Sequence, residues 1–106
     1  MRVISKKALR EFWQEHIEAK EPLQRWFEIA YRAAWHNLAE TKADCPSAES
    51  VGKCTVFNIG GNKYRLITKI EYIKQQIYIK FVLTHKEYDT DNWKKDCQME
   101  TDICKL

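Results

Sequence analysis

No apolar run in this chain approaches the ~20 residues needed to span a bilayer, and the N-terminus has no apolar stretch leading to a cleavage site. These absences predict a cytoplasmic protein without a membrane partner. The four cysteines, Cys45, Cys54, Cys97 and Cys104, form no C-x-x-C pair and match no zinc-ligand spacing. They are expected as reduced thiols, with Cys97 and Cys104 the pair open to oxidation in vitro. No G-K-[ST] follows Gly60-Gly61 and no helix pattern opens after it, so these glycines read as a turn rather than a phosphate loop. Neither a metal site nor a cofactor is expected.

What remains is a chain of 106 residues, enough for one core and one domain. Any chemistry must therefore share one surface. A hydrophobic fraction of 44% beside 31% charged residues is that of an ordinary globular protein, and four Trp, five Tyr and four Phe supply bulky apolar area. The net charge of +3 is too small to announce nucleic-acid binding by itself. Its distribution says more: between residues 53 and 86 stand Lys53, Lys63, Arg65, Lys69, Lys74, Lys80 and Lys86 against Glu71 alone. A locally basic strand region suits a polyanion, because each neutralised phosphate releases a counterion. The competing reading is that these lysines guard sheet edges.

Arg2-Val3-Ile4 is short and β-branched, and Ser5 is a good N-cap for a helix with apolar residues at Leu9, Phe12, Trp13 and Ile17. Pro22 suits the first turn of a second helix, along which Leu23, Trp26, Phe27, Ala30, Ala34, Trp35 and Leu38 recur at three- and four-residue spacing. This pattern predicts an αα-hairpin that turns its apolar stripes, Trp26 and Phe27 among them, to one core. From Glu40 to Lys53 the periodicity dissolves into a long loop. A strand over 55–59, a tight turn at Gly60-Gly61-Asn62, a strand over about 64–72 and a strand over 77–83 complete the pattern. A two-residue turn at Lys74-Gln75 would set Tyr72 opposite Ile77, Ile70 opposite Ile79, Thr68 opposite Phe81 and Leu66 opposite Leu83. One face is then apolar, and the other carries Arg65, Lys69, Tyr78, Lys80 and Thr84. The expected domain spans 1–92, with 93–106 a weakly helical or partly ordered tail.

Two strings carry a family resemblance: Val56-Phe57-Asn58-Ile59-Gly60-Gly61-Asn62-Lys63-Tyr64-Arg65-Leu66-Ile67 and Val82-Leu83-Thr84-His85-Lys86-Glu87-Tyr88-Asp89. In that order they resemble the HigB family of toxins, within the RelE-like superfamily of small bacterial ribonucleases that cut messenger RNA. The resemblance implies an α+β fold with a helical hairpin packed on a small antiparallel sheet, in the order β-α-α-β-β-β. It also implies a HigA-like antitoxin as cognate partner and messenger RNA, on the ribosome, as target.

Metal-free RNA cleavage needs a base for the 2′-hydroxyl, positive charge for the pentacovalent phosphate and an acid for the leaving 5′-oxygen. His85 ends the last core strand and is the side chain suited to proton transfer near neutral pH, although alone it reads as a surface histidine. Arg65 matches the arginine-bearing strand of RelE-like nucleases, and its planar fork can hold phosphate oxygens bidentately. Its competing role is a surface arginine paired with Glu87 or Asp89. Tyr88 can donate a hydrogen bond or stack on an unpaired base, or simply close the core. Lys53, Lys63, Lys80 and Lys86 are candidate phosphate contacts. In the expected register Arg65 and His85 share a face only if the strand end twists or bulges. The alternative function class is a non-enzymatic one: a toxin of the same fold that inhibits DNA gyrase, or a regulatory RNA-binding module.

Overall fold

The computed structural model describes residues 1–97. The elements in chain order are β1 (Arg2–Ile4), α1 (Lys6–Glu15), a 3₁₀ turn (Ile17–Ala19), α2 (Lys20–Arg32), α3 (Leu38–Asp44) and β2 (Glu49–Val51). There follow β3 (Cys54–Ile59), β4 (Tyr64–Glu71), β5 (Gln76–Thr84), α4 (His85–Asp89) and a C-terminal 3₁₀ helix (Asn92–Cys97). The fold is α+β, with helices packed on a five-stranded sheet of order β1-β5-β4-β3-β2. β1 runs parallel to β5, and the other neighbours are antiparallel.

The helical hairpin forms as its periodicity requires, with Leu9 and Trp13 of α1 and Leu23, Trp26 and Ala30 of α2 buried. Trp26 meets Phe57 edge-on at 5.3 Å between ring centres. Phe27, expected beside it in the interface, is half-buried at the margin, with Lys6 Nζ 4.6 Å above its ring and Tyr31 stacked on it. α2 stops at Arg32, six residues before the end of its apolar pattern, because Ala33 turns extended. Trp35 is then buried from an extended link, and Asn37 caps a separate helix by accepting the Glu40 N–H. The stretch 40–53, expected as a loop, thus contains most of α3 and the edge strand β2.

The register of the β4–β5 hairpin differs from expectation. Four residues, Tyr72 to Gln75, make the turn, with Gln75 at φ 56°, so Ile70 faces Ile77 and Thr68 faces Ile79. A bulge at Lys80 then shifts the pairing, and Ile67 faces Phe81, Leu66 faces Val82 and Arg65 faces Leu83. On the turn side of the bulge the difference is a slip of two, which keeps every side chain on its face and which apolar alternation cannot detect. Beyond it the difference is one residue, and Phe81 and Leu83 lie on the opposite face from Ile77 and Ile79.

Both faces of the sheet are covered. On one, Phe57, Ile59, Tyr64, Leu66 and Ile77 meet the helical hairpin. On the other, Cys54, Val56 and Ile67 pack with Trp93 and Cys97, flanked by Phe81, Leu83 and Tyr88. The face expected to be a cationic surface is therefore partly a second core, and β4 is buried without interruption from Tyr64 to Thr68. Cys54 and Cys97 form a disulfide with Cα atoms 5.2 Å apart, which corrects the expectation of four reduced thiols. Their separation of 43 residues has no spacing signature, and the return of the C-terminal 3₁₀ helix is what brings them together. Cys104, and with it the expected Cys97–Cys104 pair and the rest of the tail from 98, lies outside the described residues. Among the described residues no helix is long and apolar enough to cross a membrane.

Candidate functional site

The candidate site is assembled by two local folding signals at one end of β4. The first is the β3–β4 turn, where Gly60 and Gly61 take φ values of 62° and 71° that L side chains rarely adopt. This turn delivers the carbonyl of Asn62 to the sheet end. The second is the capping box Thr84-x-x-Glu87: the Thr84 side chain accepts the Glu87 N–H and the Glu87 carboxylate accepts the Thr84 N–H. Helix α4 therefore begins at His85, and His85 and Asp89, four residues apart, meet on one side of it.

The Asn62 carbonyl is the hub. Arg65 Nη1 donates to it at 3.1 Å, and His85 Nδ1 lies 3.2 Å from it. Arg65 Nη1 also donates to the Tyr64 carbonyl at 3.2 Å, and the guanidinium sits 5.0 Å from the centre of the Tyr88 ring. His85 Nε2 stands 3.3 Å from Asp89 Oδ2. A carbonyl only accepts hydrogen bonds, so the Nδ1 contact is a donation from His85, while the Asp89 carboxylate stands within ion-pair distance of Nε2. Arg65, His85 and Tyr88, named separately from the sequence, are thus brought together, and the bulge at Lys80 contributes: the pairing beyond it is shifted by one residue from the expected register, so that the His85 N–H meets the Lys63 carbonyl. Arg65 faces Leu83 across the ladder, and the turn of α4 bends His85 back over it.

The electrostatics single out Arg65. It is only 9% exposed, and among the described residues no carboxylate is paired with it. Neither Glu87 nor Asp89 plays that role, because the first closes the capping box and the second meets His85. A buried guanidinium satisfied only by neutral carbonyls keeps its charge available to an anion.

The lysines divide. Lys86 is exposed on α4 beside His85. Lys63 joins the site by its backbone, whose carbonyl accepts the His85 N–H at 3.0 Å. Its ammonium is bonded to Glu18 at 3.0 Å, and that hydrogen bond first, then the attraction of the two charges, raises the pKa of Lys63. Lys53 lies in the β2–β3 turn, the length of β3 away, roughly 20 Å at 3.3 Å per residue, and its N–H bonds the Cys97 carbonyl. Lys80 is the bulged residue of β5, exposed in a cleft shared with Ala8, Tyr78 and Ile79. The structure brings neither Lys53 nor Lys80 to the cluster. Sequence reasoning missed Asn62 and Asp89: the first acts through a backbone carbonyl that any residue carries, while an i, i+4 His-Asp spacing behind a capping box could have marked the second. Among the described residues no group of three His, Cys, Asp or Glu side chains is arranged to hold a metal.

A family profile described as HigB toxin, the RelE-like toxic component of a toxin-antitoxin system, matches residues 19–91. The chain is 32% identical over 92 residues to the mRNA interferase toxin HigB of Escherichia coli strain K12, covering 84% of this chain and 88% of that protein. It is similar at the same level to the mRNA interferase HigB of Shigella flexneri, and at 23% to that of Escherichia coli O6:H1 strain CFT073. With more than half its length matched by the profile and most of it aligned to these relatives, the chain belongs to the HigB toxin family.

Proposed function

We propose that this chain is an mRNA interferase: a metal-independent endoribonuclease toxin that cuts messenger RNA on the ribosome in the bacterial cytoplasm and is held inactive by a HigA-like antitoxin. The observation that carries this reading is the buried, carboxylate-free guanidinium of Arg65, joined through the Asn62 carbonyl to His85. A charge held in that way suits the phosphate at which negative charge develops, and a neighbouring imidazole suits proton transfer. The relatives named mRNA interferases supply the substrate class.

In this mechanism the 2′-hydroxyl loses its proton to water as its oxygen bonds to phosphorus, the bond to the 5′-oxygen breaks, and protonated His85 gives its proton to the departing oxygen, leaving a 2′,3′-cyclic phosphate and regaining a proton from water. Arg65 holds the non-bridging oxygens, Asp89 orients His85, and Tyr88 bears on Arg65 from below. Lys86 and Lys63 draw in the flanking phosphates.

The test is cleavage of an RNA oligonucleotide beside inducible expression in a bacterium with mapping of RNA 5′ ends. Growth arrest with transcript cuts is expected, and His85→Ala should abolish the cuts while the protein stays folded. Single-turnover cleavage should fall by roughly 10² to 10⁴ in that variant with RNA affinity nearly intact. Cleavage should persist in a chelator and fail when the scissile nucleotide is a deoxynucleotide. Activity restored only by Mg²⁺, or normal cutting by His85→Ala, would sink the proposal.

A further inference from the structure

Trp93 touches the site twice without being part of it. Its ring stacks on that of Tyr88 at 4.9 Å and an interplanar angle of 16°, and its Nε1 donates to the Tyr88 carbonyl at 2.9 Å. The Arg65 guanidinium also lies over the Tyr88 ring, so Tyr88 is in contact with both Arg65 and Trp93. Of these two partners, Trp93 is the one with independent support. Trp93 is 4% exposed within the second core, and its 3₁₀ helix is tied at the far end by the Cys54–Cys97 bond and by the Lys53 N–H to the Cys97 carbonyl at 2.8 Å. Helix α4, in contrast, has five residues and none of them is buried. So short a helix does not persist on backbone bonding alone. The capping box fixes its start, and Trp93 grips its fourth residue by both ring and carbonyl.

We propose that Trp93 is a positioning residue for RNA cleavage, acting through Tyr88 to hold the Arg65 guanidinium and the helix that carries His85. The proposal rests on the nuclease reading above. Charge over an aromatic face is attracted along the ring normal, so a Tyr88 ring free to tilt releases the guanidinium from its aim. Misplacement of a charge clamp costs rate more than affinity, because the clamp matters most where charge develops.

Trp93→Leu keeps apolar volume while removing the stack and the N–H. It should lower single-turnover cleavage of RNA by roughly tenfold to a hundredfold. Affinity for the same oligonucleotide with a deoxynucleotide at the scissile position should stay within about twofold, since phosphate contacts dominate it. The decisive measurement repeats the change in a Tyr88→Ala background, where the ring stack is already gone and only the N–H to the residue-88 carbonyl is left to lose. The loss there is expected to shrink to the severalfold effect of that one hydrogen bond. Losses of the same factor in both backgrounds would assign Trp93 a merely structural role and overturn the proposal, as would an unchanged rate in Trp93→Leu or in Tyr88→Ala. Should circular dichroism show Trp93→Leu unfolded, Trp93→Phe takes its place: the stack survives, the N–H is lost, and a rate reduced severalfold is expected, an unchanged one overturning the idea. If the unaltered chain cuts no RNA, the nuclease reading falls and this proposal with it, a result distinct from an active chain indifferent to Trp93.

Discussion

Arg65 illustrates what a single side chain gains from its surroundings. A lysine there would keep the charge but not the fork that bonds the Asn62 and Tyr64 carbonyls through Nη1 and has further N–H groups to offer an anion. Arg65→Lys is therefore expected to lower cleavage by roughly 10²-fold, comparable to loss of one donor at a developing oxyanion; near-normal cleavage in single-turnover assays would show that charge alone suffices. The lysines allow a sharper comparison. Lys86→Ala should flatten the salt dependence of RNA binding by about one unit of slope, and Lys80→Ala, remote from the cluster, should leave it unchanged. Equal effects in binding titrations would place the RNA path over the middle of β5. Cys45 concerns a different property: burial first, and then the neighbouring Asp44, push its thiol up to about 11. Because the thiolate is the reactive form, alkylation of Cys45 near pH 8 should be slow in the folded protein and rise steeply toward pH 11. Mass spectrometry of the Cys45 peptide checks this, and labelling as fast as in the denatured chain would contradict it. His85, Arg65 and Tyr88 were named from the sequence through the family motif, since alone His85 reads as a surface histidine and Tyr88 as a ring closing the core. The Asn62 carbonyl and the grip of Trp93 depend on chain path, and no residue type announces them.

At the scale of elements, the long periodic segments were readable and the short ones were not. Helices α1 and α2 and strands β3 to β5 each repeat their pattern enough times to be recognised. Helix α3 and strand β2 are too short for that. Asn37-x-x-Glu40 and Thr84-x-x-Glu87 were nonetheless helix-start signals in plain view, and the second of these lies inside the family motif. The motif is thus as much a folding instruction as a chemical one: its threonine and glutamate start the helix that aims its histidine. Thr84→Ala is accordingly expected to cost about 1 kcal/mol of stability and to reduce cleavage, with Thr84→Ser restoring both. Chemical denaturation and single-turnover rates check the pair. A Thr84→Ala variant that loses stability and keeps full activity would show that α4 holds His85 without its cap.

The whole molecule is organised by a sheet sealed on both faces, by the helical hairpin on one and by the C-terminal 3₁₀ helix on the other. The second seal was invisible in the sequence because Trp93 and Cys97 mean little until β3 and β4 are beneath them. It is also the smaller seal, and the Cys54–Cys97 bond joins it across a loop of 43 residues. Closing a loop of that size restrains the unfolded chain by about 4 kcal/mol in the entropic account, a large share of the roughly 5 to 15 kcal/mol that stabilises a small domain. A dithiol reductant delivers two electrons and two protons to the pair, leaves as its own cyclic disulfide, and frees the 3₁₀ helix from covalent restraint. Denaturant titration with and without the reductant should show the midpoint falling by the equivalent of about 3 to 4 kcal/mol, with the slope also changed if the released ensemble expands. Cys54→Ser should start at the lower midpoint and ignore the reductant. If the unaltered protein and Cys54→Ser unfold at the same midpoint in both conditions, the covalent tie contributes nothing, and Trp93 with its apolar neighbours holds the second face alone.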